Sequence, residues 1–190
     1  MASMAGHGGD LAMATLAGFG VDTVFTLSGG HVFPFYDAPV KTSGRIVDTR
    51  HEQTATFAAE GVAKLTRRPG VAVLTAGPGV TNGLSAITTA HFNGSPLVVL
   101  GGRAPRAHWG SGSLQELDHL PIVAPITKLA ATVAAPGDIP AAVHRATVAA
   151  LTPHRGPVFL DFPLDVVFAS AEADIPPWSC PVARRPTPTR

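Results

Sequence analysis

Three apolar runs constrain this chain more than any other feature: "GVAVLTAGPG" at 70–79, "SPLVVLGG" at 95–102 and "GPVFLDFP" at 156–163. Each is short, β-prone and stopped by glycine or proline. Read as strands uncharged throughout, they lack the apolar/polar alternation of a half-exposed strand, which asks for burial on both faces. Two further extended pieces, "VDTVFTLSGG" and "GRIVDTR", precede them. Between the runs lie "HEQTATFAAEGVAKLTRR", "VTNGLSAITTAHFN" and "DIPAAVHRATVAALTP", each of helical length. In the first, Phe57, Gly61, Lys64 and Leu65 fall at helical spacing. In the last, Ile139, Val143, Ala146 and Ala150 form an apolar stripe, with Asp138 placed to cap and Pro140 in the first turn. The pattern predicts an α/β fold: a three-layer sandwich with a mostly parallel central sheet covered by helices on both faces.

The rhythm is less regular from about 102 to 136, where "PIVAPITKLA" reads as an edge strand or an extended crossover. After Asp165 periodicity is lost. We expect one domain over residues 1–168 and a Pro/Arg-rich linker or disordered tail over 169–190.

Composition narrows the function classes. Charged residues make up 14% of the 190 residues and hydrophobic ones 45%, against a usual charged share of about 25%. So sparsely charged a surface suggests cover by another chain or domain. A net charge of +1 without a basic stripe argues against nucleic acid. Cys180 is the sole cysteine, which excludes an internal disulfide and leaves no zinc or redox signature. No run is long and apolar enough to span a bilayer, and "MASMAGHGGD" lacks the form of a signal peptide, so a cytoplasmic protein without a membrane partner is expected.

In an open α/β sheet, ligands bind where loops leave the carboxyl ends of the strands. The loops at 28–31, 48–53, 76–82 and 101–115 bring His31, His51, Glu52, Asn82 and Gln115 into that region. Glu52 starts a helix, where an acid either complements the dipole or does chemistry. Buried by loops and a partner chain, it would hold its proton at neutral pH and donate a hydrogen bond to a ring nitrogen. "GPGVTNG" lacks the Walker lysine and does not fit GxGxxG. Its Gly77 and Gly79, stiffened by Pro78, suit either a structural turn or backbone approach to a flat ligand. "SGSLQELDH" offers Ser111 and Ser113 no nucleophile elbow. The histidines are scattered without HExxH spacing, so no metal is expected from this chain. Glu116 and Asp118 read as caps of a short helix near Leu114 or as contacts to a neighbouring subunit. Trp109 and Trp178 read as packing or stacking residues.

"RHEQTATFAAEGVAKLTRRPGVAVLTAGPGVTNGLSAITTAHFNGSPLVVLGG", followed by "GSGSLQELDHLPIVAPITK", resembles the N-terminal pyrimidine-binding domain of thiamine diphosphate enzymes, in the branch of acetolactate synthases and 2-hydroxyacyl-CoA lyases. The likeness runs from about Gly6 to Phe168. It implies that Glu52 is the acid that hydrogen-bonds N1′ of the aminopyrimidine and so activates the cofactor. Gly77, Pro78 and Asn82 then shape the pyrimidine pocket, and His31 and Gln115 stand near the substrate carbonyl. A histidine at 31, where many acetolactate synthases have a small residue, and Leu114 in place of a phenylalanine are departures that leave cleavage, carboligation and decarboxylation open. The domain that would bind the diphosphate and Mg²⁺ is not in these residues, nor is one for FAD. The resemblance thus implies a homodimer or tetramer of a longer protein, or pairing with a separate diphosphate-binding chain. Acting alone, the chain is expected to be inactive. A free-standing interaction or regulatory domain, and half of a split lyase or carboligase, are the alternatives.

Overall fold

A computed structural model describes residues 2–42 and 44–177. Trp178, Cys180 and the arginines at 184, 185 and 190 lie outside the described residues. In chain order the elements are β1 (Ala2–His7), α1 (Gly8–Gly18), β2 (Thr23–Thr26), α2 (Pro34–Lys41), β3 (Arg45–Asp48), α3 (Glu52–Thr66), β4 (Gly70–Leu74), α4 (Pro78–Asn93) and β5 (Leu97–Arg103). They continue with α5 (Leu120–Val123), β6 (Ala130–Thr132), α6 (Ile139–Leu151), β7 (Val158–Pro163), α7 (Leu164–Val167) and β8 (Ser170–Ile175).

Six strands form one sheet in the order β3-β2-β4-β5-β7-β6, and every neighbouring pair is parallel. The strand period of two divides its side chains between two cores. Val98 and Leu100 join α1, α2 and α6, whereas Leu97 and Val99 join α3, α4 and α5. All four are fully buried, each worth roughly 1.5–3 kcal/mol relative to exposure. This is the expected three-layer arrangement. Asp161 is an exception to the reading of the strands as uncharged: it lies in β7 with no solvent exposure.

The chain enters the sheet at β2, adds β3 on one side and returns to place β4 on the other. The connections leaving β2 and β4 therefore diverge, opening the crevice in which α/β sheets bind ligands.

Four expectations need correction. The strand β8 pairs antiparallel with β1, Ala2 opposite Ile175 through His7 opposite Ser170, so regular structure continues past 168 where a linker was expected. Its alternating burial marks a two-stranded ribbon with one wet face. "PIVAPITKLA" is mostly short helical turns, with only Ala130–Thr132 adding to the sheet edge beyond β7. On α3 the buried stripe is Ala55, Thr56, Ala59, Glu60 and Ala63; Phe57, Lys64 and Leu65 are exposed on the other side. Small residues win the inner face because α3 packs closely on β4 and α4: a Cβ at Gly70 in β4 would fall 1.9 Å from the Ala59 carbonyl oxygen, and one at Gly83 in α4 would lie 3.1 Å from Thr56 Oγ1. Asp138 makes no side-chain cap, while Pro140 does occupy the first turn of α6. Among the described residues no helix is long and apolar enough to cross a membrane.

Candidate functional site

The carboxyl end of β3 runs directly into α3, with His51 between them in extended conformation. Its Nδ1 accepts the Gln53 N–H at 3.1 Å. His51, not Glu52, thus supplies the side-chain cap, and the imidazole itself stays exposed. Relieved of that task, Glu52 turns inward and is 7% exposed. Its Oε2 accepts a hydrogen bond from Asn82 Nδ2 at 2.9 Å.

The turn between β4 and α4 forms the next wall. Gly77 has φ +57°, and a Cβ there would lie 2.7 Å from the Gln115 carbonyl oxygen. Only glycine combines that dihedral with that approach. Pro78 opens α4 at a position where a missing N–H costs nothing. A Cβ on Gly79 would stand 2.6 Å from Thr75 Cγ2 and 3.5 Å from Glu52 Oε1. One on Gly29 would meet Thr75 Oγ1 at 2.3 Å. Thr75 is therefore the hub against which the loops after β2 and β4 close, and its Oγ1 also approaches Gln115 Oε1 at 3.5 Å.

His31 sits in the 3₁₀ turn after β2 and is 4% exposed. A side chain on Gly102 would strike its Cβ at 2.6 Å. Its Nδ1 is buried without a hydrogen-bond partner, an uncommon state for a polar atom. Burial pulls the His31 pKa below its ordinary 6.5, against a hydrogen bond with the Leu114 backbone that raises it, and nearby His119 lowers it further. Burial thus favours the neutral ring.

The loop leaving β5 brings Gln115 to the turn. Gln115 itself has φ +56°, a strained value outside glycine. Glu116 does not cap a helix near Leu114. Its carboxylate gathers the N–H groups of Gly110, Gly112 and Ser113. Chiefly the Gly110 N–H, and then those of Ser113 and Gly112, hold the Glu116 pKa below its ordinary 4.5 against the cost of desolvation. Asp118 pairs with Arg103 at 3.2 Å, and the Arg103 guanidinium lies 4.0 Å over the Trp109 ring.

The structure thus brings Glu52, Asn82, Gly77, Pro78, Gln115 and His31 to one end of the sheet. Sequence reasoning missed Thr75 and His119. Thr75 carried a readable signal, standing at a strand end between glycine-bearing turns. His119 is fully buried, accepts the Gly77 N–H at 2.9 Å through Nε2 and had none. The site is an open face, since Pro78, Asn82 and Leu114 are exposed. A concavity of about 460 Å³ lined by Val21, Phe25, Arg45, Val62 and Arg68 lies at the opposite, amino end of the strands. Near α1, ligand atoms of His7, Asp10 and Asp37 lie within 4.8 Å of one another, with the Lys41 ammonium 3.1 Å from Asp10 already balancing their charge.

Comparison with known proteins gives a consistent result. Residues 6–122 match the family model described as thiamine pyrophosphate enzyme, N-terminal TPP binding domain. The chain is 55% identical over 163 residues to a probable acetolactate synthase of Mycobacterium bovis, covering 86% of this chain and 30% of that protein. It is 44% identical over 162 residues to 2-hydroxyacyl-CoA lyase 2 of Caenorhabditis elegans, covering 85% of this chain and 25% of that protein. The human 2-hydroxyacyl-CoA lyase 2 is 42% identical over the same length, with 26% of it covered. The chain spans 30% or less of the length of each of these relatives.

Proposed function

The chain belongs to the family of N-terminal TPP-binding domains of thiamine pyrophosphate enzymes, and from that premise we propose that it forms the activating wall of a thiamine diphosphate site. The complete enzyme is a lyase or synthase acting on 2-keto acids or 2-hydroxyacyl substrates. The observation that carries this reading is the buried Glu52 carboxylate, held by Asn82 at 2.9 Å beside an exposed glycine-proline turn.

The residues present fit a flat nitrogen heterocycle. Gly79 lets the first turn of α4 close against Thr75 and beside Glu52 Oε1, and the exposed Pro78 face is apolar. When bound, the cofactor supplies the nucleophilic carbon and the electron sink. Glu52 holds a proton toward a ring nitrogen. Asn82 fixes which carboxylate oxygen is free to do so. Gly77 and Pro78 set the depth of the wall. Gln115 and His31 flank the carbonyl carbon, and the neutral His31 ring with its unpartnered Nδ1 can accept or donate a proton there.

The diphosphate and its Mg²⁺ are held by another domain, either of a second copy in a dimer or tetramer or of a separate chain; FAD, where such an enzyme uses it, belongs to the longer protein. Exposed Leu65 on α3 and Phe92 on α4, 86% and 83% accessible, suit cover by such a neighbour. The test is exchange of the cofactor C2 proton into deuterated water, with the chain joined to a diphosphate-binding domain. Exchange accelerated by the wild type and lost in Glu52→Gln supports the assignment; equal exchange in both overturns it.

A further inference from the structure

His119 lies at the head of a buried polar column that takes no direct part in the chemistry proposed above. Its Nε2 accepts the backbone N–H of Gly77 at 2.9 Å. Its Nδ1 is 3.0 Å from Asp161 Oδ1. The other Asp161 oxygen accepts from Arg103 Nη1 at 2.9 Å. His119 and Asp161 are wholly buried and Arg103 is 9% exposed. The edge of Phe159 closes the side of the imidazole.

This geometry fixes a tautomer. A backbone N–H can only donate, so His119 Nε2 must present a lone pair. The ring proton then resides on Nδ1 and is donated to Asp161. A buried carboxylate needs compensation, and Asp161 receives one full charge from Arg103 and one neutral N–H from His119. A second cation at His119 would leave Nε2–H facing the Gly77 N–H, donor against donor.

Gly77 is where the column meets the site. It is the N-cap of α4 but has no side chain with which to cap, and its own N–H is buried. The next residues are Pro78 and Gly79, and Asn82 follows one turn later to hold Glu52. From the opposite side the Gln115 carbonyl presses against the Gly77 α-carbon. The first turn of α4 is thus clamped between His119 and Gln115, which come from one loop.

We propose that His119 is a positioning residue for the cofactor site: its Nδ1–H tautomer, set by the Asp161–Arg103 pair, anchors the Gly77–Pro78–Gly79 turn and so sets Asn82 against Glu52. The inference rests on the cofactor reading above, and no contact of His119 with substrate or cofactor is involved.

Two substitutions separate its two hydrogen bonds. His119→Gln keeps an acceptor near the Nε2 position and loses the donor to Asp161. His119→Asn keeps an N–H for Asp161 and loses the acceptor for Gly77. On the 190-residue chain without cofactor, imidazole ¹⁵N shifts should report the Nδ1–H tautomer, and the Gly77 amide should be protected from hydrogen exchange in the wild type and in His119→Gln but not in His119→Asn. With a diphosphate-binding domain added, His119→Asn should slow C2-proton exchange on the order of tenfold to a hundredfold, with His119→Gln recovering most of it. The Nε2–H tautomer, a Gly77 amide indifferent to His119→Asn, or exchange that falls equally in both variants would overturn the proposal. Failure of the cofactor reading looks different: wild type and Glu52→Gln then exchange alike, whatever the amide data show.

Discussion

Asn82 Nδ2 donates to Glu52 Oε2 across 2.9 Å, joining the first turns of α3 and α4, whose strands β3 and β4 are separated in the sheet by β2. A glutamate at a helix start commonly serves the helix. Here the neighbouring histidine caps α3, and the carboxylate is turned toward a second helix. That division of labour leaves one oxygen committed to Asn82 and the other beside Gly79.

Glu52→Gln and Glu52→Asp should each lower cofactor-dependent turnover of the assembled enzyme by roughly 10²–10⁴, the range for a positioned acid or base. Asp retains the carboxyl group but falls one methylene short of the ring. Thermal unfolding of Glu52→Gln should stay within a few degrees of wild type, because the amide keeps the side chain's shape and can still accept from Asn82. A large fall in melting temperature with activity spared would contradict the assignment.

Asn82→Leu removes the donor and leaves Glu52 free to rotate. Activity should fall on the order of tenfold, less than for Glu52→Gln, and combining the two should add little, since Asn82 acts through Glu52. A double-mutant cycle on C2-proton exchange measures this. Strict additivity would mean that the 2.9 Å contact has no functional role.

Gly77→Ala imposes a left-handed backbone and places a methyl 2.7 Å from the Gln115 carbonyl. Destabilisation on the order of 1–3 kcal/mol is expected, read as a lower denaturation midpoint. Gly61→Ala meets open space in a helix and should be neutral or stabilising by up to about 1 kcal/mol. The pair controls for a general effect of adding a methyl.

Much of this was legible in the sequence, and the failures have physical causes. The runs at 70–79, 95–102 and 156–163 gave the strands because burial on both faces leaves no ambiguity of period. Glu52, Asn82 and Gln115 could be singled out because the connections that carry them leave the carboxyl ends of strands, and the structure does bring them to one end of the sheet. The strand β8 was missed because a peripheral antiparallel ribbon is specified by its partner at the far end of the chain, not by local pattern. Asp161 was passed over as part of an apolar run, and without it nothing marks His119, whose role exists only where β7, β5 and a loop meet.

Glu116 gives a pH dependence. Its pKa is lowered in the folded chain, so its contribution to ordering the 110–116 loop is complete above its ordinary value of 4.5 and is lost as pH falls through the depressed folded value. Hydrogen exchange at Gly112 and Ser113, corrected for intrinsic rates, should be constant at neutral pH and rise below that window. Glu116→Gln should show fast exchange at every pH. Unchanged protection in the variant would assign the loop's order to other contacts.

Removing residues 169–190 deletes β8 and exposes β1 as an unpaired edge. The shortened chain should melt several degrees lower and associate more readily through that edge. Equal stability of the 168-residue form would restore the earlier domain limit.

The central claim is that this chain activates a thiamine cofactor through Glu52. The most direct measurement is deuterium exchange at the cofactor C2 position, with Mg²⁺ and a diphosphate-binding domain present, comparing wild type with Glu52→Gln at matched cofactor occupancy by calorimetry. The account predicts fast exchange in the wild type and a fall of roughly 10² or more in the variant, with binding largely retained. Exchange that is equal in the two at full occupancy would contradict it.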